Sequence, residues 1–167
     1  MRSILALLCI TLFSFSTPET YVVDTHASSL DWSGYYLFSF GEHAGTVQLT
    51  EGKLAIENSE ITGGSFTIDM TSITCTDMPA DDGGNDLVNH LQSDDFFSTA
   101  KFPEAKFEIT KVEPIKDSQA GQPNVEITGT LTLKGVKNAL TFPALVSVEP
   151  DGHGRTWCPR GARRRVL

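Results

Sequence analysis

Few residues in this chain have the type and spacing that chemistry requires. Histidines 26, 43, 90 and 153 are scattered and show no metal-ligand spacing. His43 sits in a predicted turn, Gly41-Glu42-His43-Ala44-Gly45, and is the candidate for hydrogen-bonding a ligand headgroup at the mouth of a container. The plainer role for such a residue is a solvent-exposed turn position. His90 falls on a predicted short helix beside Leu91 and is expected to pack that helix on a sheet. Asp94-Asp95 has the look of a carboxylate pair, but neighbours leaving a helix need not point together, so a turn or cap is expected. Asp81, Asp82, Asn85 and Asp86 do not match the Asp-x-Asp-x-Asp-Gly calcium spacing, and a solvated loop is expected there. The chain lacks Gly-x-Ser-x-Gly, His-Glu-x-x-His, the Gly-x-x-x-x-Gly-Lys phosphate loop and Cys-x-x-Cys. No catalytic residue, metal or cofactor is therefore expected. Cys75 is read as a small buried hydrophobe and not as half of a disulfide with Cys158.

The elements that would position these residues are almost all strands. Tyr21-Val22-Val23-Asp24 and the aromatic run from Leu30 to Phe40 open the series. Val47 and Leu49, then Leu54 and Ile56, alternate as if across a hairpin with Glu51-Gly52 at its tip. Gly63-Gly64 suggests a bulge, followed by Phe66, Ile68 and Met70 in alternation. Asp77 to Gly84 reads as a loop. A short helix is expected from near Asn85 to Gln92, capped by Asn85 or Asp82. Ala105, Phe107 and Ile109 resume the period of two. After a polar loop from Lys116 to Asn124 come Val125, Ile127, Gly129, Leu131 and Leu133, then Leu140, Phe142, Ala144, Val146 and Val148. Each strand has one dry face and one wet face, and there is almost no helix to cover the dry one. The dry face must close on itself, so the predicted fold is all-β, a single antiparallel barrel with one short helix.

The 167 residues suit one domain. The formal net charge is −8, yet Thr17 to Pro150 carries seven Lys and no Arg against 20 acids. So acidic a body repels phosphate backbones and anionic headgroups, and nucleic acid is not an expected partner. Met1-Arg2, an apolar run to Phe15, and Ser14 and Ser16 before Thr17 read as a cleavable export signal over residues 1–16, too short for a permanent span. The domain is expected over 17–150. Residues 151–167 lose the strand period and hold every Arg except Arg2. This anomalous basic tail is read as out-of-frame translation, against the alternative of a real tail contacting the acidic body or an anionic surface.

Three motifs carry a family resemblance: His90-Leu91-x-Ser93-x-Asp95-Phe96-Phe97, Lys101-Phe102-Pro103-x-Ala105-x-Phe107, and Gly129-x-Leu131-Thr132-Leu133-x-Gly135-Val136. Val23-Asp24 with Ser28-Ser29, and the mid-chain stretch that opens with Ser72-Ile73, fit as well. Over residues 21 to 149 the chain resembles the YceI-like, polyisoprenoid-binding family of lipocalin-like barrels. The resemblance implies a barrel of about eight strands in an exported bacterial protein, with an apolar pore for an isoprenoid or similar long-chain lipid. It also implies a wall left incomplete at the C-terminus, because members continue for two more strands that residues after Pro150 do not match.

On spacing alone, a small barrel is filled by its own side chains. The resemblance reverses that expectation. It makes Trp32, Tyr36, Phe38, Phe66, Ile68, Met70, Phe107, Ile109, Ile127, Leu131, Leu133, Phe142 and Val146 the candidate pore lining. The expected function is carriage or storage of the lipid in the periplasm or outside the cell, without chemistry. The alternatives are an enzyme acting on a lipid-like substrate, with His43 or an acid as its acid or base, and a non-lipid interaction scaffold.

Overall fold

The period of two becomes eight strands in the computed structural model, which describes residues 17–35, 41–148 and 154–157. They are β1 (Glu19–Val22), β2 (Leu30–Tyr35), β3 (Glu42–Glu57), β4 (Glu60–Asp69), β5 (Glu104–Pro114), β6 (Val125–Leu133), β7 (Val136–Val148) and β8 (Gly154–Trp157). One α-helix, α1 (Asn85–Gln92), lies between β4 and β5. The sheet runs β1-β3-β4-β5-β6-β7-β8, and β2 pairs with the first half of β3. Every pairing is antiparallel.

The sheet curls. Tyr21 and Val23, at one side of the strand order, and Val146 and Val148, toward the other, pack on the same buried group of Leu54, Ile56 and Ile61. Among the described residues no strand pairing joins β8 to β1 or β2, so the curled sheet is a half-barrel with an open seam. An all-β antiparallel barrel with one short helix is what the alternation predicted, and an incomplete C-terminal side is what the resemblance implied.

The expected hairpin at Glu51-Gly52 does not exist. β3 runs unbroken through it, and its register against β4 slips between Leu49 and Glu51. That slip is a β-bulge at Thr50. The extra residue rotates the chain by half a period, so odd-numbered Val47 and Leu49 and even-numbered Leu54 and Ile56 share one face. Turning is done instead at Asn58-Ser59, with φ of 51° and 64°. Lys134-Gly135, with φ of 51° and 74°, turns β6 into β7 in the same way. Two consecutive left-handed residues match the twist of the flanking strands. The second slip in β3 against β4, between Ala55 and Ile56, lies beside Gly63-Gly64, where a bulge was expected.

Helix α1 covers one end of the half-barrel. Its Leu91 is buried with Val47, Met70, Ile73 and Ala105, and Leu87 packs at the margin. Neither expected cap is used. Gly84 occupies the N-cap position without a side-chain bond, and the Asn85 N–H donates to Ala80 O of the preceding turn. That wide turn satisfies from the backbone what a cap supplies from a side chain. The strand Gly154–Trp157 pairs with Leu145–Val148 although its sequence has no alternation.

Candidate functional site

The concave face is assembled by register. Phe66 on β4 stands opposite Phe107 on β5, Phe107 opposite Leu131 on β6, and Ile127 on β6 opposite Phe142 on β7. Opposed residues point to the same side of a sheet, so four strands place apolar side chains on one surface. The Phe107 ring lies 6.5 Å from Phe66 and 5.7 Å from Phe142, both tilted. Three rings thus form a band across the middle of the half-barrel, with centroid spacings in the range where edge and face attract.

Burial along this face is uneven. Met70, Ala105, Phe107, Ile127 and Ala144 are buried. Phe66, Ile68, Ile109, Leu131, Leu133, Phe142 and Val146 are only half-buried. No large side chain among the described residues is fully enclosed. Several apolar side chains of the concave face thus keep part of their surface accessible to solvent.

Eleven of the thirteen expected lining residues lie among the described residues. Phe66, Ile109, Phe142, Leu131 and Val146 surround the buried trio of Phe107, Ile127 and Ala144. Ile68 and Leu133 join Met70 in the cluster under α1. Trp32 joins that cluster too, and its indole Nε1 donates to Thr74 O at 3.0 Å. Its one polar atom is therefore engaged within the fold. Tyr36 and Phe38 lie outside the described residues.

His43 stands apart from this apolar band. Its Nδ1 lies 3.0 Å from Asp77 Oδ2. The other oxygen of Asp77 accepts from the Cys75 thiol at 3.1 Å and from the Ala44 N–H at 3.1 Å. Those donors, the thiol first and the amide next, with His43 adding less, hold the Asp77 carboxyl at about 2. Around them Thr74 N–H donates to Thr46 O and Thr76 N–H to Ala44 O, each at 2.9 Å. The group pins the 74–77 segment along the margin of β3. His43 is a partner in that clasp, and Cys75, expected as an inert filler, supplies a hydrogen bond. Positions 43, 75 and 77 are too far apart in sequence to reveal this constellation; only the pairing of segment 74–76 with β3 makes them neighbours.

The remaining polar candidates have local duties. Asp94 Oδ2 accepts from Lys101 Nζ at 2.7 Å, and the Lys101 ammonium with the Ser98 hydroxyl keeps the Asp94 carboxyl below its usual range. His90 is exposed, with its ring 6.1 Å from that of Phe96 and not inserted between helix and sheet. Sequence reasoning missed Asn124, whose side chain bonds both backbone groups of Val146. Its place at the end of a polar loop gave no signal.

Comparison with known proteins bears on this surface. The family model described as a YceI-like domain matches residues 21–161. A UPF0312 protein of Shewanella denitrificans is 32% identical over 127 residues, covering 74% of this chain and 60% of the relative. Protein YceI of Escherichia coli is 34% identical over 95 residues, covering 53% of this chain and 47% of the relative. The chain thus spans about half to three-fifths of the length of these relatives. The crystal structure of Burkholderia cenocepacia BcnA superposes with a TM-score of 0.50 at 22% identity, over 75% of this chain and 71% of that one. That likeness agrees with the fold described above.

Proposed function

The chain belongs to the YceI-like family, and from that membership together with the solvent-accessible apolar concavity we propose that it holds an isoprenoid or similar long-chain lipid and performs no chemistry on it. The observation that carries the reading is the half-buried state of Phe66, Leu131, Phe142 and Val146 on a face that water should not be left to wet. A guest laid along this face removes that apolar surface from water. Each buried methylene contributes about 0.8 kcal/mol, so a five-carbon isoprene unit contributes roughly 3–4 kcal/mol. A few units offset the cost of immobilising a ligand. Affinity then needs no sharp polar constellation, which fits a face built from aliphatic and aromatic residues.

In this reading residues 1–16 direct export, and the protein acts in the periplasm or outside the cell as a carrier or store. No helix among the described residues is long and apolar enough to cross a membrane. The test is extraction of the purified protein with organic solvent followed by mass spectrometry. A stoichiometric long-chain lipid, reduced several-fold in Phe142→Ser while circular dichroism is unchanged, is the expected result. Protein that emerges without lipid, and that takes up none when offered a polyprenol, would defeat the reading.

A further inference from the structure

Asn138 on β7 stands opposite Leu131 on β6, Leu131 opposite Phe107 on β5, and Phe107 opposite Phe66 on β4. Opposed residues share a side of the sheet, so the Asn138 carboxamide rises from the same surface as the aromatic band. The next positions on that side of β7 are Val136, opposite Leu133, and Leu140, opposite Gly129. Along the paired positions of this face on β4 to β7, Asn138 is the one polar side chain among the described residues. Other polar atoms that reach the apolar clusters are already engaged. Trp32 Nε1 donates to Thr74 O at 3.0 Å, and the Tyr21 hydroxyl donates to Glu19 Oε2 at 2.7 Å. The Asn138 carboxamide has no hydrogen-bond partner among the described residues.

Accessibility falls along β7 through this point. Val136 is 57% exposed and Asn138 is exposed, Leu140 and Phe142 are half-buried, and Ala144 is 3% exposed. From Asn138 to Ala144 the strand rises about 20 Å, at about 3.3 Å per residue. A polar group at the wet end of an apolar track that dries with distance is the complement of an amphiphile.

The wet end of the track carries no charge on its inner side. Lys137, the next residue to Asn138, projects to the opposite face of the strand. Lys134 Nζ is committed to Phe96 O at 2.8 Å and to Asp94 O at 3.0 Å. A phosphate set on this surface would need a cation to offset its desolvation. A carboxamide instead offers both a donor and an acceptor, which suits an uncharged hydroxyl or carbonyl.

We propose that Asn138 is the specificity-determining residue of the lipid site. Its carboxamide hydrogen-bonds the uncharged alcohol or carbonyl head of the guest, and the guest's chain runs along Leu140 and Phe142 toward Ala144. The inference rests on the lipid-holding reading and adds to it an orientation, with the head toward the Lys134-Gly135 turn. It places at Asn138 the headgroup contact that the sequence suggested for His43, whose Nδ1 lies against Asp77.

The test is equilibrium dialysis of the purified, delipidated full chain against farnesol, farnesyl monophosphate and farnesane, which share a carbon skeleton and differ in the head. The wild type should bind farnesol more tightly than the monophosphate. Asn138→Leu should lower the preference for farnesol over farnesane about fivefold, as loss of one hydrogen bond does, with the melting temperature unchanged. Asn138→Lys should reverse the order of farnesol and the monophosphate. A farnesol-to-farnesane preference unmoved by Asn138→Leu would overturn the proposal and leave the lipid-holding reading standing. So would monophosphate bound by the wild type as tightly as farnesol, or an order unchanged in Asn138→Lys. Uptake of none of the three by the wild type would overturn both.

Discussion

The side chain of Asn124 pairs with the backbone of Val146 as a strand residue would. Its Nδ2 donates to Val146 O and its Oδ1 accepts from Val146 N–H, both at 2.8 Å. Asn124 N–H also donates to Ala144 O at 2.9 Å. The β6–β7 ladder is thereby extended one step past its last backbone pair, Val125 with Ala144. In Asn124→Ala both groups of Val146 lose these partners, and the expected cost is about 1–3 kcal/mol, read from the midpoint of urea unfolding.

Gly129 faces the concavity directly beneath the Phe107 ring, where a Cβ would lie 2.4 Å from Phe107 Cζ. Gly129→Ala must displace the central ring of the aromatic band, at an expected cost of about 1–3 kcal/mol. Gly63→Ala is the control, because its nearest neighbour would be the Ala55 Cβ at 4.0 Å. A denaturation midpoint unchanged in both variants would contradict this packing.

These two positions mark the limit of what sequence can convey. The alternations around Phe66, Phe107, Leu131 and Phe142 announce strands and their dry side, because period and burial are coupled locally. The helix over Asn85–Gln92 was legible from Leu87, Val88 and Leu91 for the same reason. β3 misled because a bulge at Thr50 changes phase without any glycine or proline to mark it, while Glu51-Gly52 imitates a turn. The clasp of His43, Cys75 and Asp77 was invisible because its members meet only through pairing of segments 34 residues apart. Whether the dry face is filled or open depends on ring orientation and curl, which the alternation does not encode.

Asp77 makes stability depend on acid. Its carboxyl is lowered from 3.8 to about 2 by the Cys75 thiol, the Ala44 amide and, to a smaller degree, His43. A depressed folded-state value means that the contribution is complete above the unfolded value and is lost as pH falls through the folded one. The melting temperature of the wild type should therefore exceed that of Asp77→Asn from neutral pH down to about 4. The gap should narrow between about 4 and about 2. A gap independent of pH would show that the carboxylate charge is not what the clasp uses.

Phe107 and Phe142 should separate folding from holding. Phe107 is buried at the centre of its cluster, so Phe107→Ala should cost about 3–5 kcal/mol. Phe142 is half-buried at the margin, so Phe142→Ala should cost less and should lower retained lipid more than it lowers the unfolding midpoint. Equal losses of lipid in the two variants, each in proportion to its instability, would argue against a guest lying along Phe142.

The sequential order from β3 to β7 has a consequence for assembly. Each of these strands meets the next one in the chain, so alignment is decided neighbour by neighbour and none of it waits for the wall to be completed. Growth of such a meander is additive: a strand finds its place on whatever has already formed. The gap between β8 and the opposite margin is then a matter of shape alone, and the inner surface is specified before the first and last ribbons have any occasion to meet.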